Sequence, residues 1–204
     1  MATPVVFHTT IAPAHQARLA SVLDRLAKQR FIERLWDRDA GLWSHDPTVQ
    51  RAIRNRLGWL SIASVMEARV EEILGEAKRI KDAGFTHALL LGMGGSSLFA
   101  EVCRYTFGVA PGWLDLTVLD STDPRAIITA AQQAPLARTL IIVSSKSGAT
   151  TESNTLGDYF YDQFRALQPP ALAGEHCLAI TDAGTPLETL AAQRGFRRAF
   201  VHGP

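Results

Sequence analysis

After Gly84 short apolar runs rich in Val, Ile and Leu alternate at a regular interval with amphipathic segments. Ala88-Leu89-Leu90-Leu91 and Leu140-Ile141-Ile142-Val143 are apolar on both faces. Such runs belong in strands covered by helices on each side, which is the condition of a parallel sheet. The spacing predicts strands near His87–Leu91, Leu114–Leu119, Thr139–Ser144, His176–Thr181 and Ala199–His202, with helices between them. The fold class is therefore α/β, a doubly wound five-stranded parallel sheet preceded by an N-terminal helical segment. Thr185-Pro186-Leu187-Glu188 has the form of a capping box with proline at the first helical position, and Gly195 is placed to close that helix.

Before Gly84 the pattern is helical. Ala17 to Trp36 carries Leu19, Val22, Leu23, Leu26 and Leu35 at helical spacing, and Asp46-Pro47 supplies an N-cap and a first-turn proline. A long helix or helix pair is expected from there to Ala83. Its Leu57, Leu60, Val65, Val70, Ile73 and Leu74 form a face to be laid on another element, because an isolated amphipathic helix gains little from propensity alone. The composition shift divides the chain into a helical segment, residues 1–84, and a sheet domain, residues 85–204. Gln168-Pro169-Pro170 reads as an ordinary loop.

The 21 Lys and Arg residues nearly balance the 20 Asp and Glu, with no basic block to neutralise a run of phosphates, so nucleic acid is not an expected partner. Cys103 and Cys177 lie in apolar runs without zinc-ligand spacing and read as buried thiols in a reducing compartment. Residues 1–10 lack the basic start and apolar stretch of a signal peptide, and no later run approaches membrane-spanning length. A soluble, cytoplasmic protein is expected, with no membrane partner.

In an open parallel sheet, ligands bind beyond the carboxyl ends of the strands, where loops lead into helix N-termini. Gly92-Met93-Gly94-Gly95-Ser96-Ser97 is one such loop, offering unhindered amides and hydroxyls to an anion at a positive helix end. Ser144-Ser145-Lys146-Ser147-Gly148-Ala149-Thr150-Thr151 is a second. Either alone is commonly just a tight strand-to-helix turn. A turn, however, does not require five Ser or Thr residues and a lysine within eight positions, so the pair favours anion binding. Lys146 alone is the kind of residue that is often a solvated surface charge, and Ser144 the kind that ends a strand; Ser145, Ser147 and Thr150 are stronger candidates. Nucleotide motifs fit poorly. Gly92 and Gly94 match the start of a dinucleotide fingerprint, with Asp120 ending the next strand, but Ser97 stands where that fingerprint needs glycine. The Ser-Lys-Ser element likewise lacks the glycines of a P-loop.

Taken together, Gly92-Met93-Gly94-Gly95-Ser96-Ser97, Leu119-Asp120-Ser121-Thr122-Asp123-Pro124 and Ser144-Ser145-Lys146-Ser147-Gly148-Ala149-Thr150 resemble the sugar isomerase (SIS) domain of glucose-6-phosphate isomerases. The likeness is strongest to the isomerase half of bacterial bifunctional transaldolase/glucose-6-phosphate isomerases, in segments such as Arg34-Leu35-Trp36, Asn55-Arg56-Leu57-Gly58-Trp59 and Thr181-Asp182-Ala183-Gly184-Thr185-Pro186. It covers roughly residues 30–204. The resemblance implies that Ser96, Ser145, Lys146, Ser147 and Thr150 hold the substrate phosphate, and the first loop itself offers the amides of Gly94 and Gly95 beside them. It implies glucose 6-phosphate and fructose 6-phosphate as ligands, an enediol intermediate, and no metal or organic cofactor.

The family continues into a Gly-Gly-Arg segment and a second such domain carrying the catalytic glutamate, a ring-opening histidine and a lysine. This chain is therefore expected to be an N-terminal or internal fragment with the phosphate-binding half of a site. Aldose–ketose isomerisation needs a base between adjacent carbons and an acid–base pair for ring opening. Glu152 is the nearest carboxylate to the second loop, and the resemblance makes it a supporting residue; glutamate in a first helical turn is commonly a dipole stabiliser. His87, His176 and His202 read as strand residues and His45 as a neighbour of a cap. Two alternatives stay open: a non-catalytic sugar-phosphate-binding module, and a compact phosphosugar isomerase that completes its site as a homo-oligomer. Apolar surface beside the last strand is expected to promote association.

Overall fold

The computed structural model describes residues 10–167 and 170–203, so the loop reading at Gln168 and Pro169 lies outside the described residues. Two compact units divide between Ala63 and Ser64.

The first unit contains α1 (Pro13–Lys28), α2 (Phe31–Trp36) and α3 (Pro47–Arg54). The helical pattern from Ala17 to Trp36 is split between two helices, because Arg30 adopts a left-handed φ of 49° and turns the chain. Asp46 caps α3 as expected, accepting the amides of Thr48 and Val49 at 2.7 and 3.3 Å. Arg34 donates to Asp39 at 2.7 Å, and that bond, with the Gly41 amide, holds the Asp39 carboxyl below its ordinary range. Phe31 meets Trp43 edge-on. α1 buries none of its residues.

The long helix or helix pair expected up to Ala83 is divided into three helices, α3 among them. A 3-10 turn at Gly58–Leu60 interrupts it, followed by α4 (Ile62–Glu67), which crosses the division, and α5 (Val70–Asp82). α5 sits in the same unit as the sheet, although its composition is that of the helical part. Of the expected apolar face, Val65, Val70, Ile73 and Leu74 remain exposed, while Glu76 and Ile80 are buried. Ile80 packs with Leu140 and Leu178, and Glu76 is neutralised by Arg79 at 2.7 Å and Arg197 at 3.4 Å. A carboxylate with such partners is tolerated on a packing face, which periodicity alone does not reveal.

The second unit is the α/β sheet: β1 (His87–Gly92), α6 (Leu98–Phe107), β2 (Asp115–Leu119), α7 (Pro124–Gln133), β3 (Thr139–Ser144), α8 (Thr151–Leu167), β4 (Cys177–Asp182), α9 (Pro186–Gln193) and β5 (Arg198–His202). All pairings are parallel and the order is β2-β1-β3-β4-β5. Each strand falls within a residue or so of its expected position. Leu89, Leu91, Ile141, Val143, Cys177 and Ala179 enter one core with Ala130, Leu156, Phe160, Phe164, Leu187 and Ala191 from α7, α8 and α9. The alternate residues Leu140 and Leu178 face α5. Interior strands buried on both faces are thus what the continuous apolar runs encode.

Thr185 caps α9 by accepting the Glu188 amide at 3.3 Å, while the Glu188 carboxylate takes the Gly184 amide at 2.6 Å. Gly195 follows that helix with a positive φ of 62°. Cys177 is buried, which pushes its thiol up to about 12, whereas Cys103 is only half-buried.

Candidate functional site

The chain leaves β1 for β2 in one direction and then advances through β3, β4 and β5 in the other. The winding reverses between β1 and β3, which places the ligand crevice of a doubly wound fold beyond their carboxyl ends. Gly92 and Ser144, the last residues of these strands, are register partners, so the two candidate loops begin side by side, about 4.8 Å apart.

The β1 loop is a single 3-10 turn, Gly94–Ser96, leading into α6. Gly94 has a positive φ of 54°, and Gly94 and Gly95 are exposed. Ser96 is half-buried, and its amide is engaged with the Met93 carbonyl at 3.2 Å. Ser97 is committed inward: it is buried, and both its amide and its hydroxyl donate to the Gly94 carbonyl at 3.1 Å. It closes the turn.

The β3 loop is held more firmly. Ser145 is 1% exposed; its amide donates to Ile180 of β4 at 3.0 Å, and its hydroxyl shares a 2.9 Å hydrogen bond with that of Thr150. The Gly148 amide closes a turn onto the Ser145 carbonyl at 3.1 Å. Gly148 has φ 64°, and a Cβ there would stand 2.6 Å from Cβ of Thr185 and 2.9 Å from the Leu187 amide nitrogen, so only glycine lets the loop lie against the start of α9. The Thr150 carbonyl accepts the Asn154 amide at 3.0 Å and opens α8, and the Asn154 side-chain amide returns to the Gly148 carbonyl at 3.1 Å. Lys146 and Ser147 are exposed; the Ser147 hydroxyl accepts the Ala149 amide at 3.3 Å. Glu152 is exposed in the first turn of α8.

Two residues that sequence reasoning passed over belong to this loop. Asp182, the last residue of β4, accepts the Lys146 ammonium at 2.6 Å. Its signal was positional, an acid at the carboxyl end of a strand next to the crevice. Asn154 ties helix to loop, and Asn154 Oδ1 and Ser153 Oγ are buried without a partner among the described residues. Of the histidines, His176 is stacked on Phe164 and bonded to the Thr139 carbonyl, away from both loops. His202 is lowered below its ordinary range by burial and by Arg69.

A hollow of about 290 Å³ lies elsewhere, beside edge strand β2, lined by Glu101, Arg104, Tyr105 and Asp115 among others. Arg104 there donates to Asp115 at 2.8 Å and Glu101 adds a second carboxylate, so the switch point remains the better place for an anion. Among the described residues no group of three or more His, Cys, Asp or Glu is placed to hold a metal, and no helix is long and apolar enough to cross a membrane.

The fold is an α/β domain with a five-stranded all-parallel sheet. It is shared with a hypothetical protein of Thermus thermophilus (TM-score 0.64, 23% identity, 93% of this chain and 42% of the other). It is shared too with a glucose-6-phosphate isomerase of Chlamydia trachomatis (TM-score 0.58, 22% identity, 83% and 30%). By sequence the chain is similar to curated glucose-6-phosphate isomerases. It is 29% identical over 176 residues to that of Acaryochloris marina, covering 83% of this chain and 31% of the relative. It is 27% identical over 198 residues to that of Synechococcus elongatus, covering 91% and 35%. No protein-family model matches. The chain spans about a third of the length of these curated relatives.

Proposed function

We propose that this chain forms the phosphate-binding half of a glucose-6-phosphate isomerase that interconverts glucose 6-phosphate and fructose 6-phosphate through an enediol. The observation that carries the reading is the pairing of two hydroxyl-bearing loops at the register partners Gly92 and Ser144, on either side of the switch point. In this reading Gly94, Gly95, Ser96, Ser145, Ser147 and Thr150, with Lys146, surround the phosphate. Helix N-termini favour the anion there. Glu152 supports the sugar from the first turn of α8. Proton transfer between carbons is acid–base chemistry and needs no metal or organic cofactor. The sheet domain is residues 85–204, the setting is cytoplasmic, and copies of the chain associate through exposed apolar residues such as Phe99, Tyr105 and Phe107.

A sugar-phosphate-binding module without turnover is the second reading, since the side chains of the two loops are hydroxyls and a lysine already paired with Asp182. A coupled assay of fructose 6-phosphate isomerisation beside calorimetric binding separates the two. The expected result is binding, lost in Ser145→Ala, with little or no turnover from this chain alone. Turnover lost in the same variant means that the chain assembles a whole site. Absence of binding at millimolar sugar phosphate sinks both.

A further inference from the structure

The lysine of the β3 loop is already spoken for. Its ammonium lies 2.6 Å from the Asp182 carboxylate, whose side chain is 20% exposed against 59% for the lysine. The backbone fixes the same pair: the Asp182 amide donates to the Lys146 carbonyl at 3.1 Å, and the Thr181 hydroxyl reaches that carbonyl at 3.5 Å. Asp182 is itself seated, since the next amide, that of Ala183, donates to the His202 carbonyl at 2.9 Å.

Direction matters here. β3 has β1 on one side and β4 on the other. The crevice that pairs the two loops lies between β1 and β3, whereas Asp182 ends β4. The ion pair therefore draws the ammonium to the β4 side, away from the Gly94–Ser96 turn. A second carboxylate, Glu152, stands at the start of α8. An anion entering the crevice meets exposed hydroxyls and amides directly, and it meets the positive charge in competition with Asp182.

We propose that Asp182 is a positioning residue that holds the Lys146 ammonium in reserve and so sets the anion affinity of the loop. This rests on the anion reading of the loop given above. It makes recognition depend on neutral donors, which fit the shape of a phosphoryl group, more than on charge, which any small anion satisfies. Removing Asp182 then strengthens anion binding, opposite to the effect expected of a residue that merely supports the site.

The test is calorimetric titration of the full chain with inorganic phosphate, in wild type, Asp182→Asn, Lys146→Met and the double variant. A partly exposed ion pair is a modest competitor, so Asp182→Asn is expected to bind phosphate about two- to fivefold more tightly. Lys146→Met in the Asp182→Asn background should abolish that gain, making the two substitutions non-additive by the same factor. Equal or weaker binding in an Asp182→Asn protein that unfolds at the wild-type temperature overturns the assignment, as does additivity. Should Asp182→Asn not fold, Lys146→Met alone decides. A lysine held in reserve loses less than about tenfold in phosphate affinity, while a fully engaged ammonium loses more. No heat from either wild type or Asp182→Asn would instead sink the phosphate reading itself.

Discussion

The two loops at the switch point are built differently, although they leave adjacent strands at the same level of the sheet. The β1 turn is self-contained: its amide and hydroxyl bonds run from Ser96 and Ser97 back to Met93 and Gly94, and Gly94 faces open space. The β3 loop is interlocked with its surroundings through Ile180, Asp182, Asn154 and the start of α9. One loop can adjust at little cost to the fold, and the other is a fixed floor. A rigid set of donors on one side and an adaptable backbone on the other suits capture of a tetrahedral anion, because preorganisation lowers the cost of binding on the rigid side.

Substitutions that strain each loop put this difference to the test. Gly148→Ala should be the most damaging, costing about 2–5 kcal/mol from left-handed strain plus overpacking against Thr185 and Leu187. Chemical unfolding would show it. Ser145→Ala removes a buried hydrogen bond and should cost about 1–3 kcal/mol together with phosphate binding. Gly94→Ala strains φ alone, with nothing within 4 Å of the new Cβ, and should cost about 1–2 kcal/mol. A Gly94→Ala protein as unstable as Gly148→Ala would erase the distinction between the loops.

Acidification gives the smallest effect. His202 has its pKa depressed in the fold, so the unfolded chain binds the proton more readily. Stability is full above the ordinary histidine value of about 6.5 and declines as pH falls through it toward the folded value. A small drop in thermal midpoint from pH 7 to 5 is expected, reduced in His202→Gln. The His202 carbonyl takes the Ala183 amide beside Asp182, so the effect belongs to the β3 side of the crevice and not to the β1 turn.

The sheet was legible because interior strands such as β1 and β3 need apolar residues on both faces, and few other structures ask for such runs. The positions of both loops were legible from their glycine and hydroxyl clusters, which suit a strand-to-helix turn whatever it binds. The helical part was harder. Glu76 occupies a buried position on α5 only because Arg79 and Arg197 neutralise it, and Arg197 lies far along the chain. Arg30 breaks a helix with no glycine or proline to announce it. Ser97 looked like a ligand residue and closes the turn, while Asp182 looked like part of a strand end and engages Lys146; both depend on which neighbours the fold supplies.

The most direct test of the two-loop account is to follow backbone amide resonances while glucose 6-phosphate is added to the chain. Saturable shifts at Gly94–Ser97 and Ser145–Thr150 together are the predicted result. Shifts gathered around Arg104 and Asp115, or confined to one loop, would contradict it.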